Sequence, residues 1–423
     1  MIKKRYILAG TGNRGLYMYA RPLCCDDELT EYAELVGLFD TSRARMEFVR
    51  KELGREPEFP CETDFDTLAS KVDFDGVIVA AKDSAHAELI KKALSCGKRV
   101  FCEKPVCTNE TEVREILRAE KESAGEVFVT HNMRYSPAFS EIRKKIAEGI
   151  VGRLIYVEFN DFLDRRHGAD YFRRWHGVKG NSGGLAVHKA SHHYDILNYI
   201  VESFGDTLYA TGASSFYGKN GPFRGERCST CHHAAECEFY ADIFNSEKKE
   251  GLYRNAEEET GYFRDGCLFR EEIDAEDNFH SVFTYQNGVK AVFTLSAFCP
   301  FEGYRAVFEG TEGRLEYNTV GQADWAPGTA QTPGISESAG KSLRFFSVRE
   351  GIRDIPIPKA EGGHGGADPA LRKDFFINSW TQEERSPQTA TLMEGCQAVL
   401  MGAAVNISIR ENRVVDVQGL LTE

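Results

Sequence analysis

The sequence predicts a two-domain α/β protein, in which a domain with a parallel sheet precedes an α+β domain with an open, mainly antiparallel sheet. Three observations predict this class. An apolar strand runs into a glycine-rich turn and a helix near the amino terminus, strands and helices then alternate, and from Phe279 onward short strands follow one another. A chain of 423 residues is also too long for a single hydrophobic core.

The first strand covers residues 5–9 and leads into a turn that fits the pattern G-x-G-x-x-G, before a helix that begins at Leu16. In such a turn the first glycine permits the tight bend, the second lets a pyrophosphate approach the backbone, and the third lets the helix pack on the strand. The pattern predicts a Rossmann fold that binds a dinucleotide; a glycine-rich turn without a ligand is the alternative. The predicted cofactor-binding residues of this loop are Gly10, Gly12, Asn13, Arg14 and Gly15.

The second strand, residues 34–39, ends at Asp40. A carboxylate at this position can accept hydrogen bonds from the adenosine ribose and would repel an additional ribose phosphate. Asp40 therefore favours NAD over NADP, although Arg43 nearby would tolerate that phosphate and leaves NADP open. The alternative role of Asp40 is to cap the helix that begins at Thr41 and Ser42.

Two further candidate segments follow strands at their carboxyl ends, where parallel sheets bind ligands. His86 follows the strand over residues 75–81 and either contacts the cofactor or caps the helix over 87–95. Glu103, Lys104 and Pro105 follow the strand over 99–102. A helix over 109–124 and a strand over 127–130 complete a first domain at residues 1–135. The second domain, residues 136–423, begins with a helix over 138–148.

A strand that ends in Glu103-Lys104-Pro105, after an amino-terminal G-x-G-x-x-G, resembles the Gfo/Idh/MocA oxidoreductases. The resemblance covers nearly the whole chain, and further segments carry it: Asn132-Met133-Arg134-Tyr135-Ser136-Pro137, Gly149-Ile150-Val151-Gly152, Arg174-Trp175, and Gly183-Gly184 followed by His192 and Asp195. It implies that Lys104 reaches the substrate hydroxyl beside the nicotinamide, often after a cis bond at Pro105. It also implies that Glu103 and Asn132 contact the cofactor and that His192 assists proton transfer.

Lys104 beside an oxidised nicotinamide would be desolvated and repelled by positive charge. Both effects lower the pKa of an amine and suit it to proton relay near neutral pH. A solvated lysine at a strand end is the alternative.

Residues 189–201 have the apolar spacing of a helix. His192 and Asp195 lie in this segment and His188 just before it, and the three residues are separated by steps of four and three. We therefore predict that the three side chains share one helix face, with His188 and His192 catalytic. The family often has aspartate where His188 stands, which points to another substrate or another proton route in this chain. A histidine satisfied inside a helix–sheet core is the alternative for both.

The segment after the predicted strand at 154–160 is predicted to be a long loop rich in cationic, imidazole and aromatic side chains. These groups suit a polyhydroxylated or anionic ligand, or hold the two domains together. The candidate substrate-binding residues are Arg174, Trp175, Lys189 and, in the glycine-dense turn at 361–368, His364. The alternative for that turn is a purely structural role, in which the glycines shape the loop and Asp368 is a helix N-cap.

Four of the twelve cysteines lie in a charged, loop-rich insert at about residues 219–277. Cys228 and Cys231 form a CxxC pair, and Cys237 and Cys267 follow. Four thiolates suit a tetrahedral structural zinc, which would order a segment with little apolar material; an iron–sulfur cluster, free thiols or ligation by His232 and His233 are the alternatives.

The remaining pattern is β-rich. Strands over residues 279–286 and 289–296 flank Asn287-Gly288, which is a strong hairpin signal. Strands over 304–309, 314–318 and 343–348 continue the sheet, a Pro/Gly/Ser-rich loop covers 328–341, and a helix covers 388–410.

Composition limits the possible partners and the compartment. A net charge of -13 opposes nucleic-acid binding, and we find no apolar run of the ~20 residues that a membrane span needs. The amino terminus lacks the apolar region of a signal peptide, which predicts a cytoplasmic protein with reduced thiols.

The resemblance implies an NAD-dependent enzyme that oxidises a secondary alcohol of a small carbohydrate, either a sugar or a cyclitol. It also implies a homo-oligomer assembled through the exposed face of the second sheet. Redox-neutral cleavage of a glycoside with bound NAD is the second function, and a non-catalytic nucleotide-binding sensor is the third.

Overall fold

A computed structural model of the chain describes residues 3–322, 334–335, 339–359, 361–382 and 385–422. The chain divides into two compact units. The first consists of Met1–Tyr135, Ile243–Arg264 and Gly362–Cys396, and the second of Ser136–Asp242, Asp265–Glu361 and Gln397–Glu423. The first boundary agrees with the predicted one. The two later segments of the first unit differ from the prediction, because the sequence analysis assigned all of residues 136–423 to the second domain.

The described strands form two sheets. In chain order they are β1 (Lys4–Ala9), β2 (Ala33–Phe39), β3 (Cys61–Glu62), β4 (Gly76–Val79), β5 (Arg99–Cys102), β6 (Val127–Val129), β7 (Leu154–Asp164), β8 (Gly205–Ala213), β9 (Asn278–Tyr285), β10 (Lys290–Cys299), β11 (Gly303–Gly310), β12 (Gly313–Val320), β13 (Gly340–Ser347), β14 (Gly351–Asp354), β15 (Ala390–Thr391) and β16 (Val415–Asp416).

The sheet of the first unit has the order β15-β6-β5-β4-β1-β2-β3. Its strands are parallel except β15, which pairs antiparallel with β6. The inner strands are near-continuous apolar runs because helices cover both faces of a parallel sheet. The carboxyl ends of β1, β4 and β5 lie at one edge, so they bring together the glycine loop, the segment with His86 and the turn with Lys104. This is the predicted Rossmann arrangement.

Helices connect these strands and cover the second sheet. The α-helices are Pro22–Cys25, Asp27–Tyr32, Arg43–Glu52, Phe65–Lys71, His86–Ser95, Glu110–Glu122, Pro137–Ala147, Arg165–Arg173, Lys179–Ser182, Leu185–His188, Ser191–Val201, Glu247–Leu252, Glu257–Thr260, Ala367–Lys373, Ser379–Thr381 and Leu392–Glu411, and π-helical turns occur at Gly15–Ala20 and Asp374–Asn378.

The second unit contains an open sheet with the order β14-β13-β12-β11-β7-β10-β9-β8-β16. All its pairings are antiparallel except that between β7 and β10, as the sequence predicted. The hairpin between β9 and β10 turns at Gly288, whose φ of +88° is the left-handed conformation that glycine favours.

One element after β7 was predicted wrongly. The strand continues to Asp164, and a helix, Arg165–Arg173, replaces the predicted loop. The Asp164 side chain caps it by accepting hydrogen bonds from the backbone N–H groups of Arg166 and His167, so the helix signal was a capping aspartate before a polar helix. The predicted loop at 328–341 lies mostly outside the described residues.

The helix Leu392–Glu411 is, by length and composition, apolar enough to cross a bilayer, which corrects the expectation that no such run exists. However, 78% of its apolar window is buried inside the protein. A core helix passes the same criteria, so this helix gives no reason to place the chain in a membrane.

Two glycines of the first loop are required by packing. Gly10 has φ +101°, and a Cβ there would lie 2.5 Å from the backbone of Ala80. A Cβ on Gly15 would lie 2.0 Å from the carbonyl oxygen of Gly10. In contrast, a Cβ on Gly12 would meet no atom within 4 Å, so the middle glycine leaves open space beside the loop.

We expect Gly15→Ala to destabilise the protein by about 3 kcal/mol, because the added methyl forces the backbone of the loop to move. Gly12→Ala is the matched control and should change the free energy of unfolding by less than about 1 kcal/mol. Urea unfolding of both variants and the unsubstituted protein measures the difference. Equal stabilities for the two variants would contradict the packing argument.

Candidate functional site

The loop between β1 and the first helix forms a cradle at the edge of the parallel sheet. The first hydrogen bond of the helical turns after the loop runs from the N–H of Leu16 to the carbonyl oxygen of Gly12, at 2.9 Å. The first N–H groups of a helix lack intrahelical partners and favour an anion. Together with the open space beside Gly12, and with Asn13 exposed, this loop fits the pyrophosphate of a dinucleotide.

Asp40 is buried and joins the glycine loop to the end of β2. Its carboxylate accepts hydrogen bonds from the N–H and the hydroxyl of Thr11, both at 2.8 Å, from the N–H of Ser42 at 3.0 Å, and from Nη1 of Arg45 at 2.9 Å. These donors occupy nearly all the hydrogen-bond acceptor sites of the Asp40 carboxylate. A contact between Asp40 and a ribose stays a prediction and requires one donor to give way. The N-cap of the following helix is Ser42, so the alternative role of Asp40 is wrong.

The turn that carries Lys104 is fixed by a buried ion-pair network. Glu103 accepts hydrogen bonds from Nε of Arg14 at 2.7 Å and from the hydroxyl of Tyr19 at 2.6 Å. Burial would raise the pKa of Glu103, but the Arg14 guanidinium and the Tyr19 hydroxyl outweigh it, so its pKa lies below the ordinary value. The Lys104–Pro105 bond is cis, as the resemblance implied, and Lys104 is half-buried.

Arg14 also holds a residue from the far end of the chain. Its guanidinium donates to both carboxylate oxygens of Asp368, at 3.1 and 3.3 Å, and Asn132 donates to Asp368 at 3.0 Å. Arg14, Asn132 and Glu103, three predicted cofactor-binding residues, therefore belong to one network. Asp368 is the second residue of its helix, after the N-cap Gly366, so its predicted role as a cap is wrong.

His86 supports the same turn from the other side. Its imidazole lies 2.8 Å from the carbonyl oxygen of Pro105 through Nδ1 and 3.2 Å from that of Ala81 through Nε2. Burial lowers the pKa of His86, which favours the neutral ring. His86 is the first residue of its helix, and its two ring contacts hold the Lys104 turn in place. A direct cofactor contact by His86 stays a prediction.

The second unit brings a buried lysine together with acids and phenols. Lys189 is 7% exposed. Burial alone would lower its pKa, but Tyr171, Asp161, Tyr304 and Glu302 raise it well above the ordinary value, so the amine remains an ammonium. The carboxylate of Glu302 lies 2.8 Å from Nδ1 of His167. A permanent cation in this position can bind hydroxyl oxygens or an anion.

Asp161 is fully buried, and neither of its oxygens has a hydrogen-bond partner among the described residues. The nearest ion-pair partner is Nε2 of His193, at 3.6 Å. Burial raises the pKa of Asp161 to about 7, although the charge of Lys189 opposes that shift. Asp161 is therefore a carboxyl group that changes charge near neutral pH.

Aromatic and imidazole rings surround this region of the second unit. The ring of Trp175 stacks on His176 with centroids 3.7 Å apart, and His176 lies 4.0 Å from His188. Tyr171 contacts His176 and His188, each at 5.4 Å. The predicted residues Trp175, His188 and Lys189 are thus near neighbours through Tyr171. Arg174 pairs with Asp170 at 3.3 Å.

The prediction that His188, His192 and Asp195 share one helix face is wrong. The helix Leu185–His188 ends before Lys189 and Ala190, and a separate helix, Ser191–Val201, carries the other two. His192 is half-buried, whereas Asp195 is buried. For His364, the backbone lies in a short helical turn, Gly363–Gly366, and its side chain lies outside the described residues.

The four cysteines of the insert share one pocket, which confirms that they cluster. The pocket is lined by Cys228, Cys231, Cys237, Cys267, Arg173, Arg227, Phe223, Phe239, Tyr240, Leu268 and Phe269. However, no group of three or more His, Cys, Asp or Glu side chains among the described residues is arranged to hold a metal ion.

The structure therefore does not support the predicted zinc site or an iron–sulfur cluster. Nη1 of Arg173 donates a hydrogen bond to Sγ of Cys228 at 2.9 Å, and burial raises the pKa of Cys237. All twelve cysteines fall within the described residues, and none forms a disulfide.

Sequence reasoning missed Asp161, His193, Glu302 and Tyr304. One signal was available: in β7 the residues that point inward are Val157, Phe159, Asp161 and Leu163. A carboxylate in the apolar phase of an alternating strand is unusual and indicates a functional or paired acid.

Comparisons with known proteins agree with this architecture. The NAD-binding Rossmann-fold model of an oxidoreductase family matches residues 4–131, and the C-terminal alpha/beta-domain model of the same family matches residues 143–417. A putative oxidoreductase of Bacillus subtilis, YteT, is 30% identical, with 99% of this chain and 98% of the relative aligned.

Two named dehydrogenases are also similar. The scyllo-inositol 2-dehydrogenase (NAD(+)) of Bacillus subtilis is 28% identical over 47% of this chain and 54% of its own length. The structure of levoglucosan dehydrogenase in complex with NADH and L-sorbose has a TM-score of 0.70 at 19% identity, and the match covers 99% of this chain and 100% of the other.

The pKa of Asp161 gives a pH-dependence of stability that can be measured. Because its pKa of about 7 lies above the unfolded value, its favourable contribution is complete at low pH and is lost as the pH rises toward 7. Relative to Asp161→Asn, the unsubstituted protein should lose about 1.4 kcal/mol per pH unit across that range.

Urea unfolding of both proteins between about pH 5 and about pH 8 measures this loss. Subtracting one stability curve from the other removes the contribution of groups that titrate equally in both proteins. Parallel stability curves would contradict the shifted pKa of Asp161.

Proposed function

The chain belongs to the Gfo/Idh/MocA oxidoreductase family, and from this premise we propose that it oxidises a secondary alcohol of a sugar or cyclitol with NAD. The observation that carries the proposal is the position of Lys104. This half-buried amine follows β5 at the same sheet edge as the glycine loop, in a turn held by Glu103 and by His86.

The first unit would hold NAD, which supplies the hydride acceptor. The glycine loop offers N–H groups and open space at Gly12 for the pyrophosphate. The buried contacts of Asp40 with Thr11 and Ser42 fix the loop beside the place where the adenosine ribose lies in Rossmann folds. These residues bind and orient, and none of them transfers a proton.

Lys104 would accept the proton of the substrate hydroxyl as its carbon loses a hydride. A neutral amine is needed for that step. Its neighbour Glu103 is paired with Arg14 and Tyr19, and these contacts hold the turn that presents the amine. The resemblance adds His192, and with it His188, as groups that would assist proton transfer.

Features of the second unit support the proposed substrate class. Tyr171, Trp175 and His188 present ring faces and polar edges, and Lys189 adds a fixed cation. Apolar ring faces with a few directional polar groups are typical of sites for small polar ligands. The names of the inositol and levoglucosan dehydrogenases support the same class.

We expect Lys104→Met to lower kcat/KM by about 10²–10⁴, since the proton acceptor is lost, while NADH binding is retained. The matched control is Lys121→Met, which removes an exposed lysine in the helix Glu110–Glu122 and should leave the rate unchanged. The assay supplies NAD with sugars, cyclitols and aryl glycosides, and it follows NADH absorbance and aglycone release together.

The outcomes separate the three functions. NADH that accumulates with a sugar or cyclitol supports net oxidation. Aglycone released without lasting NADH would replace the proposal with redox-neutral cleavage. Activities that are unchanged in Lys104→Met would contradict a catalytic role for the lysine and favour a sensor.

We further propose that the chain forms a homo-oligomer through the open face of the second sheet. Tyr209, Val282 and Val292 are cross-strand neighbours on that face, and Val282 is 59% exposed. Sedimentation should detect an oligomer of the unsubstituted protein and smaller species for Val282→Glu, because a charge there would be buried on assembly. A monomeric unsubstituted protein would contradict the proposal.

A further inference from the structure

The segment Ile243–Arg264 belongs to the nucleotide-binding unit although it lies in the insert that follows β8. Leu252 is fully buried in the apolar core of that unit, with Met46 and Val49. Its carbonyl accepts a hydrogen bond from Nε of Arg45 at 2.7 Å, and the ammonium of Lys248 lies 3.5 Å from the ring centroid of Tyr17. Apolar burial and hydrogen bonds therefore anchor this segment.

The anchored segment carries Glu259 to the N-terminus of the helix Arg43–Glu52. The Glu259 carboxylate accepts hydrogen bonds from the hydroxyl of Ser42 and, at 3.1 Å, from the N–H of Ala44. Ser42 is the N-cap of this ten-residue helix. An anion is favoured at a helix N-terminus, and here the chain supplies that anion itself.

This position bears on the choice of dinucleotide. The same Ser42 donates its backbone N–H to Asp40, the acid at the end of β2 beside which the adenosine ribose lies in Rossmann folds. A 2′-phosphate on that ribose would need donors at this N-terminus, and an arginine such as the exposed Arg43 would assist it. Glu259 already uses two of those donors, and its negative charge would lie beside the phosphate.

We infer that Glu259 is a specificity-determining residue that excludes NADP by occupying the anion position of the helix Arg43–Glu52. The inference rests on the proposed function to the extent that the first unit binds a nicotinamide dinucleotide. It also settles the choice that Asp40 and Arg43 leave open in the sequence, in favour of NAD. The insert then acts as part of the cofactor site.

Equilibrium fluorescence titration with NADH and with NADPH tests this inference without any substrate. The unsubstituted protein should prefer NADH. Glu259→Ala vacates the position, and its affinity for NADPH relative to NADH should rise about tenfold or more, because a like-charge contact is removed. Glu259→Gln keeps an acceptor but loses the charge, so its ratio should lie between those two.

The matched control is Glu258→Ala, which makes the same charge change at an exposed neighbour in the helix Glu257–Thr260. Its NADPH to NADH ratio should equal that of the unsubstituted protein. Circular dichroism and melting temperature verify that the variants are folded. If Glu259→Ala does not fold, the affinity ratio of Glu259→Gln still tests the inference.

Three results would overturn the inference. The first is an unsubstituted protein that binds NADPH as tightly as NADH. The second is a ratio of NADPH affinity to NADH affinity that does not change in folded Glu259 variants that still bind NADH. Both results leave the proposed function intact. An unsubstituted protein that binds neither dinucleotide would overturn the proposed function together with the inference.

Discussion

The contact on which the nucleotide-binding unit most depends is the partly buried ion pair between Arg14 and Glu103. One guanidinium joins the glycine loop to the turn that carries Lys104, and it also reaches Asp368 from a distant part of the chain. The Arg14 side chain is 31% exposed and the Glu103 side chain 9%, so removing Arg14 would leave a largely buried carboxylate without its cation. The glycine loop and the turn that carries Lys104 are therefore joined by the same interaction.

The same unit is completed by segments that are remote in sequence. Leu252 and Glu259 come from the insert, and Asp368 and the strand β15 come from a region near the carboxyl terminus. Each fills a place that the first 135 residues leave open: an apolar contact, a helix N-terminus, an acceptor for Arg14 and the sheet edge beside β6. A Rossmann domain drawn as one continuous stretch of sequence would lack these groups.

Local signals predicted most of the fold. Strand β5 has the predicted bounds, and Asn287-Gly288 forms the predicted hairpin, because periodicity and turn chemistry act within a few residues. The helix Arg165–Arg173 was missed because its sequence is largely polar, with arginines at both ends, two of which are buried. The break between His188 and Ser191 was missed because a spacing of four fits one helix as well as two short ones. Long-range contacts such as Glu259 with Ser42 leave no periodic trace, so no local pattern could predict them.

The second unit shows how buried charge and function are related. A fully buried carboxyl group such as Asp161, whose oxygens have no hydrogen-bond partner among the described residues, costs free energy that its apolar neighbours Phe159 and Leu163 do not recover. Lys189 reduces that cost and in return keeps its own charge. A pair of this kind is weak as a source of stability, since apolar residues of similar volume would serve as well or better. Its presence beside Tyr171 and the imidazole rings supports the proposal that the second unit binds a polar substrate, to which a charged group inside a rigid sheet would supply direction and affinity.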